Sequence, residues 1–414
     1  MNPFRSFLLI LFAAASIQAA TLPGFRVETL ARADGFVSSL VSDSKGTIYF
    51  STTNGWIHRI DGTGSTKVAS LPTRSGGNGG LLGMALLDDD TAVVHYTTWN
   101  GGTGEMARVL DDVISRVDLR NGAETVLRAF ACDIQNRSRG ASSEHHGGNL
   151  TVAPDGSIFV GIGDYGDYII AQKPEWNAGK IWRIDLQGNA TQWARGMRNP
   201  YDLAWDPDRN AVVVSDNGPE GGDELHVVRE GENGGWPHTW GNQPPLAGAV
   251  APAFVFENTV APTGLQRLSG ANSMLRRGFL SGAFVTRALY YFTPELTEPF
   301  PVVEGFDEFI IDVTETPAGE IYIATAMGPT SGIHRLEVPR RGDCNGDGLT
   351  DSGDYTSLSL ELGDGGRHDV VRAQEGEYPG SWGCDANADG MIDEDDLSAL
   401  RRIVMPRRRS VRSR

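Results

Sequence analysis

Three observations predict an all-β chain folded as a six-bladed β-propeller with a small α-helical module at its C-terminal end. A theme of polar turn followed by a β-branched or aromatic run recurs six times between Asp43 and Ile323. Glycine is abundant, at 52 of 414 residues, while charged residues make up only 21%, a globular and turn-rich balance rather than a disordered or fibrous one. Beyond Val338 the composition shifts to two acidic, glycine-punctuated stretches, each followed by a helix-like run. The length suits one large unit, since propellers and barrels routinely exceed the ordinary domain size.

Taken in order, the chain opens with Arg5, an apolar run from Phe7 to Ala15 and the small-residue stretch Ile17-Gln18-Ala19-Ala20. These are the three parts of a secretory signal peptide over residues 1–20, with cleavage expected just before Ala20 or Thr21. The run is short for a bilayer span and no later stretch is apolar enough to cross one, so a secreted, periplasmic or cell-surface location is expected rather than a retained anchor.

Residues 21–338 carry the repeats. The turns are Asp43-Ser44-Lys45-Gly46 before Ile48-Tyr49-Phe50, Asp88 to Asp90 before Ala92-Val93-Val94, and Pro154-Asp155-Gly156 before Ile158-Phe159-Val160. They continue with Asp206-Pro207-Asp208 before Val212 to Val214, Arg276-Arg277-Gly278 before Phe279-Leu280, and Pro317-Ala318-Gly319 before Ile321 to Ile323. Second runs resemble one another: Ile57 to Asp61, Ile114 to Asp118, Ile181 to Asp185 and Ile333 to Leu336. Period-two alternation bounded by Gly, Pro and Asp marks strands, and self-similarity at this spacing marks blades. An irregular pair of β-sandwiches would give turn signals without this pairing, read here as an inner and an outer strand. Insertions from Asn100 to Asp111 and from Gly231 to Pro262 are expected as loops at the mouth.

Residues 339–342 read as a linker, residues 343–405 as the module and residues 406–414 as a solvated basic tail. The module holds one pattern twice: Asp343, Asn345, Asp347, Asp351 and Asp354 around Gly348, then Asp385, Asn387, Asp389, Asp393 and Asp396 around Gly390. Oxygen donors at positions one, three, five, nine and twelve, with glycine at six for the sharp turn, are what a loop needs to wrap Ca2+, and recurrence in register argues against a merely solvated acidic turn. Helices are expected over Tyr355–Leu362 and Leu397–Val404. Aspartate at position twelve resembles the dockerin duplication, although the two loops stand further apart than in that pattern. The resemblance implies a protein partner docking on a calcium-binding module.

The net charge of −17 and isoelectric point near 4.9 exclude a nucleic-acid groove, which needs a basic footprint. Of the three cysteines, Cys344 and Cys384 occupy matching places beside the two loops and form the plausible disulfide, leaving Cys132 as a small buried hydrophobe.

The segment from Met197 to Pro237 gathers polar groups at strand ends: Arg198 and Asn199, the Asn217-Gly218-Pro219 corner, Asp223 and Glu224, and a Gly-rich return to Trp236. Upstream, Glu144-His145-His146-Gly147-Gly148-Asn149-Leu150 leads to Gly163-Asp164-Tyr165-Gly166. A lone histidine beside glycines is more often structural. If the blades bring these loops to one end, His145 supplies a proton acceptor, Asp164 a carboxylate to orient it, Arg198 a cation and the corner carbonyls a seat for a hard metal ion.

These motifs, with Gly80 to Ala85, Gly179 to Ile184 and Asn233-x-Gly235-Trp236-Pro237, make the chain from about Pro23 to Val338 resemble the soluble quinoprotein glucose and sorbosone dehydrogenases. That resemblance implies a six-bladed propeller binding pyrroloquinoline quinone (PQQ) through calcium, oxidising a small sugar or aldehyde. It implies His145 as general base, Asp164 as its orienting partner, Arg198 and Asn199 against the quinone edge, and the carbonyls of Gly218 and Pro219 on calcium. Asn78 and Asn217 stand where the family has glutamine. Thr286, Phe309 and Ile311 stand where it has cations, leaving Arg287 as the candidate replacement. Two other readings accompany this one: a propeller without cofactor serving as a binding or surface-attachment module, and a metal-dependent lactonase-type hydrolase, which would need inward Glu, Asn and Asp side chains.

Overall fold

The computed structural model describes residues 20–405 apart from 63, 103–106, 135–143, 328–329 and 374. Residues 1–19, where the signal peptide is expected, and the tail 406–414 lie outside the described residues. Local chemistry makes the repeated turns. The Asp43 carboxylate accepts from the backbone N–H groups of Lys45 at 2.9 Å and Thr47 at 2.8 Å, while Gly46 takes a φ of +83°, a conformation that costs a residue without Cβ little. Asp155 and Asp185 hold their turns in the same way.

Among the described residues the strands form six antiparallel sheets of four or five strands, one per predicted blade, and a two-stranded ladder in the module. Blade 1 is Val37–Ser42, Ile48–Thr52, Trp56–Asp61 and Gly64–Ser70; blade 2 is Leu81–Asp88, Thr91–Trp99, Val109–Asp118 and Glu124–Ala131. Blade 3 is Leu150–Val152, Ile158–Ile162, Lys180–Ile184 and Ala190–Arg195; blade 4 is Pro200–Asp206, Ala211–Asp216, Glu224–Val228 and Phe254–Val255. Blade 5 is Pro262–Arg267, Phe279–Ala283, Ala288–Phe292 and Pro299–Glu304, with Ala20–Thr21 on its outer edge. Phe309–Glu315, Ile321–Met327 and Thr330–Glu337 form blade 6, completed by Arg26–Asp34 from the other end of the chain. That pairing, Val27 with Leu336 and Asp34 with Thr330, closes the ring.

The paired apolar runs prove to be the second and third strands of each blade, not an inner and an outer one. The reason is burial. Second strands such as Ile48–Thr52, Ile158–Ile162 and Ala211–Asp216 are buried along their whole length between neighbouring blades, so they read as continuous apolar runs. Outer strands such as Gly64–Ser70 face water, and inner strands tolerate polar groups along the axis.

Three of those axial groups tie blade to blade. Asp312 of blade 6 accepts from the Leu40 N–H of blade 1 at 2.6 Å and from the Asn149 amide at 3.0 Å. Asn149 in turn accepts from the Met84 N–H of blade 2 at 3.0 Å, and Asp202 of blade 4 from the Leu265 N–H of blade 5 at 2.6 Å. Burial pushes the Asp312 carboxyl up to about 7, and burial followed by the charge of Asp312 holds Asp202 well above the carboxylate range.

The module has helix α1 at Gly353–Gly365 and helix α2 at Glu394–Val404, the latter opened by a capping box between Asp393 and Asp396. Cys344 and Cys384 form the expected disulfide. Met391–Ile392 of the second loop pairs with His368–Asp369 of the intervening segment, which is how the wider spacing between the loops is used. The module shares an apolar core with blades 5 and 6: Trp382 packs edge-on against Phe25 and Tyr291, each at 5.2 Å between ring centroids. Pro339 and Gly342 are buried, so the segment 339–342 is part of this contact and not a free spacer.

Candidate functional site

The loops that precede the first strands and those that join second to third strands meet at one end of the ring. There they enclose a cavity of about 550 Å³ on the axis, lined by Asn78, Asn199, Asn217, Gly147, Tyr201 and Phe284 among others. Both insertions reach this end. Arg74 binds the Gly102 carbonyl at 2.7 Å, and the Gly231 to Pro262 excursion brings Trp236 to Asp164.

His145 and Arg198 lie on the same rim. The Asp164 N–H donates to the Arg198 carbonyl at 2.8 Å, and the Tyr165 N–H donates to the His145 carbonyl at 3.4 Å. Gly163 allows this: a Cβ there would fall 2.1 Å from the His145 carbonyl oxygen. His145 Nδ1 is 2.7 Å from Asp164 Oδ1, its side chain 19% exposed against 2% for the aspartate. Asp164 is held from two more sides, by the Gly166 N–H at 2.8 Å and the Trp236 indole N–H at 2.9 Å. A carboxylate fixed in this way fixes the ring it binds and leaves His145 Nε2 as the outward nitrogen.

Arg198 donates through Nη1 to the Asn217 carbonyl at 2.8 Å, and its guanidinium lies 5.7 Å from the Trp236 ring. Its N–H and that of Asn199 are taken by the two oxygens of Asp216, at 2.9 and 2.7 Å. The Asn199 side-chain oxygen accepts from Gly147 N–H at 3.2 Å, linking the arginine corner to the histidine loop. Burial raises the Asp216 carboxyl to about 6, with His226 drawing it back. The Asn217-Gly218-Pro219 corner is fixed by Asp223, which accepts from Gly218, Val260 and Ala261 N–H groups. The Pro219 carbonyl takes the Gly222 N–H at 2.8 Å, leaving its second lone pair.

The sequence-predicted residues thus separate into two groups. Asn78, Asn199 and Asn217 line the axial cavity, whereas His145, Asp164 and Arg198 flank it. Arg287 is turned aside: Nη1 donates to the Asp307 carbonyl at 3.1 Å and the guanidinium covers Phe309 at 5.0 Å. Phe309 stacks on Phe284 at 4.0 Å, Ile311 is fully buried, and Thr286 lines an outer groove near Pro299. The inward Asn149, Asp202 and Asp312 set does exist, but its oxygens are taken by backbone N–H groups, the Ser39 hydroxyl and the Asn149 amide itself, so it reads as a structural belt rather than the metal centre a lactonase-type site would need. Sequence reading missed the roles of Trp236 and Asp216. Trp236 sits in a quoted motif and Asp216 closes the observed strand Ala211–Asp216, two residues past the run read in the sequence, but their partners lie 72 and 18 residues away.

In the first module loop Asp343 Oδ1 is buried without a hydrogen-bond partner. Asp354 and Asp396 are fully buried, and burial raises the Asp396 carboxyl to about 6.

Comparison with known proteins bears on this geometry. A family model described as glucose/sorbosone dehydrogenase matches residues 33–333. The aldose sugar dehydrogenase YliI of Escherichia coli (strain K12) is 25% identical over 288 residues, 60% of this chain and 75% of that protein. Quinoprotein glucose dehydrogenase B of Acinetobacter calcoaceticus is 28% identical over 132 residues, 24% of this chain and 27% of that one. In fold, the soluble aldose sugar dehydrogenase of Escherichia coli in its apo form gives a TM-score of 0.65 at 20% identity, covering 76% of this chain and 100% of that one. The PQQ-bound aldose sugar dehydrogenase of Streptomyces coelicolor gives 0.62 at 22%, covering 77% and 99%.

Proposed function

The chain belongs to the glucose/sorbosone dehydrogenase family, and on that premise we propose that it is a PQQ- and calcium-dependent oxidoreductase acting on an aldose or a related aldehyde. The observation that carries the reading is the His145–Asp164 pair, 2.7 Å apart, on the same rim as Arg198 and beside the axial cavity. The residues fit such a cofactor in part. A cavity of about 550 Å³ with three asparagine side chains suits a flat, oxygen-rich molecule; among the described residues its wall holds no lysine or arginine, and Arg198 stands beside it. Asn78, Asn199, Asn217 and Arg198 would hold it, and the Gly218 and Pro219 carbonyls would hold calcium. When bound, the quinone supplies the hydride acceptor.

The protein's own part is to move the proton. His145 donates Nδ1–H to Asp164 and presents Nε2 to the substrate hydroxyl, which loses its proton as its carbon gives up hydride. Asp164, unable to rotate away from Trp236 and Gly166, stabilises the imidazolium that forms. Arg198 puts a fixed positive charge where negative charge develops. Titration of apo protein with PQQ and calcium tests the reading: a shifted quinone absorbance and dye-linked aldose oxidation are expected. An unchanged spectrum at saturating cofactor overturns it in favour of a propeller that only binds.

The proposal extends to the module, where Asp343, Asn345, Asp347, Asp351 and Asp354, and likewise Asp385, Asn387, Asp389, Asp393 and Asp396, would each wrap a calcium ion. The partnerless Asp343 oxygen supports this, because a buried carboxylate oxygen without a donor is costly unless a cation meets it. Exposed Leu360 and Ile403 on the two helices support the outer side as the place for a protein partner. The Cys344–Cys384 bridge supports an oxidising compartment outside the cytoplasm. Calorimetric titration with calcium should show two events from the loops, lost when Asp343 and Asp385 are changed to alanine and distinct from binding at the Gly218-Pro219 corner; heat unaffected by those changes refutes the loops.

A further inference from the structure

Beneath the dyad lies a cluster that the proposed reaction leaves unused. His145 is followed by His146 and Asp164 by Tyr165, and both successors turn inward to Asp112 in the third strand of blade 2. Asp112 Oδ2 stands 3.2 Å from His146 Nδ1, 2.8 Å from the Tyr165 hydroxyl and 3.0 Å from Cys132 Sγ. Asp112, Cys132 and His146 are each 0% exposed, and one ligand atom from each lies within 4.8 Å of the other two. The other carboxylate oxygen is met by His95 Nε2 at 3.1 Å, and His95 Nδ1 lies 2.8 Å from the Gly148 carbonyl.

Three heteroatoms thus crowd around one oxygen in a buried, apolar surround that includes Phe130, Val109 and Ile162. Hydrogen bonds alone describe this poorly, because a thiol is a weak donor and a single oxygen offers two lone pairs. A tetrahedral zinc ion bound by N, O and S has ligand-to-ligand edges of roughly 3.3–3.6 Å. The observed 2.8, 3.0 and 3.2 Å spacings reach that range by opening by up to about half an ångström. One carboxylate and one thiolate also balance a divalent charge, so the filled site would be neutral where a bare charge is costly. His95, bonded to the second oxygen of the carboxylate, plays the part that outer partners play for metal ligands.

We propose that Asp112, Cys132 and His146 hold a divalent ion of the zinc class, with the Tyr165 hydroxyl as fourth donor. Four protein donors leave no open position, so the ion is structural. It anchors the residues directly after His145 and Asp164, and hence the dyad, and it does so whether or not a quinone binds above.

The test uses the full chain purified from zinc-supplemented medium without chelator. Elemental analysis and native mass spectrometry should give about one zinc per chain. Exchange to cobalt(II) should produce a thiolate-to-cobalt charge-transfer band that is absent in Cys132→Ser. Should that variant fail to fold, the wild-type mass alone decides. Folded wild type holding less than about a tenth of an equivalent of zinc, or a cobalt spectrum unchanged in Cys132→Ser, overturns the site and leaves a hydrogen-bonded cluster.

Discussion

The two ends of the propeller axis carry buried carboxylates that do opposite things. At the mouth, Asp164 spends its oxygens on a side chain that faces water, His145, and on two donors that hold it there. Along the axis, Asp202 and Asp312 spend theirs on four backbone N–H groups, two of them from the neighbouring blade, and on the Asn149 amide. The lesson is that burial alone does not mark a site. What distinguishes the mouth is a carboxylate whose partner is a partly exposed base held in one orientation.

That contrast can be broken by mutation, and the largest effect is expected at the mouth. His145→Ala should lower turnover by about 10²–10⁴ while the unfolding midpoint stays put, a loss typical of a missing general base. Dye-linked kinetics beside a melting curve would read both, and full turnover in the variant would remove the base.

The axis should answer to pH instead. The folded pKa of Asp312 is raised from 3.8 to about 7, so its contribution to stability is whole below pH 4 and is lost as pH rises towards 7. The expected size is at most a few kcal/mol, since each unit is about 1.4 kcal/mol. Urea midpoints between pH 5 and 8 should therefore decline in the wild type and decline less in Asp312→Asn. An identical slope in both proteins would contradict a proton-holding belt.

A smaller effect is expected at Asp216, whose carboxylate accepts from the backbone N–H groups of Arg198 and Asn199. Asp216→Asn removes one charge-assisted acceptor and should raise KM about tenfold with kcat nearly kept. A loss confined to kcat would instead put Asp216 in the proton path. Arg287→Ala should have the least effect, under about twofold in kcat/KM, because the guanidinium faces Asp307 and Phe309 and not the cavity wall. A large loss there would mean that Arg287 swings inward on binding.

The same contrast explains what could be read from the chain. The six turns were legible because each is made by its own residues: Asp43 binds Lys45 and Thr47, and Gly46 supplies the positive φ. The module's two acidic turns were legible for the same reason: Asp343 accepts from the Gly348 N–H and Asp385 from the Gly390 N–H, each five residues on. His145 and Asp164 were reached through several short motifs in one order, and the ring then brought them together. What escaped has no local signature. Asn149, Asp202 and Asp312 each stand alone in their blade, and their partners are Met84, Leu265 and Leu40, all outside their own blades. Trp382 announces nothing about Phe25 or Tyr291, so the module's seat on blades 5 and 6 was invisible. Cys132 reads as a small apolar residue until Asp112 and His146 close around it.

The measurement that bears most directly on the central claim separates holding the quinone from using it. Wild type and His145→Ala, both loaded with PQQ and calcium, are mixed rapidly with aldose and quinone reduction is followed by absorbance. The account predicts matching spectra for the two loaded proteins, fast reduction in the wild type and reduction slowed by about 10² or more in the variant. Equal reduction rates, or a wild type that takes up no quinone, would contradict it.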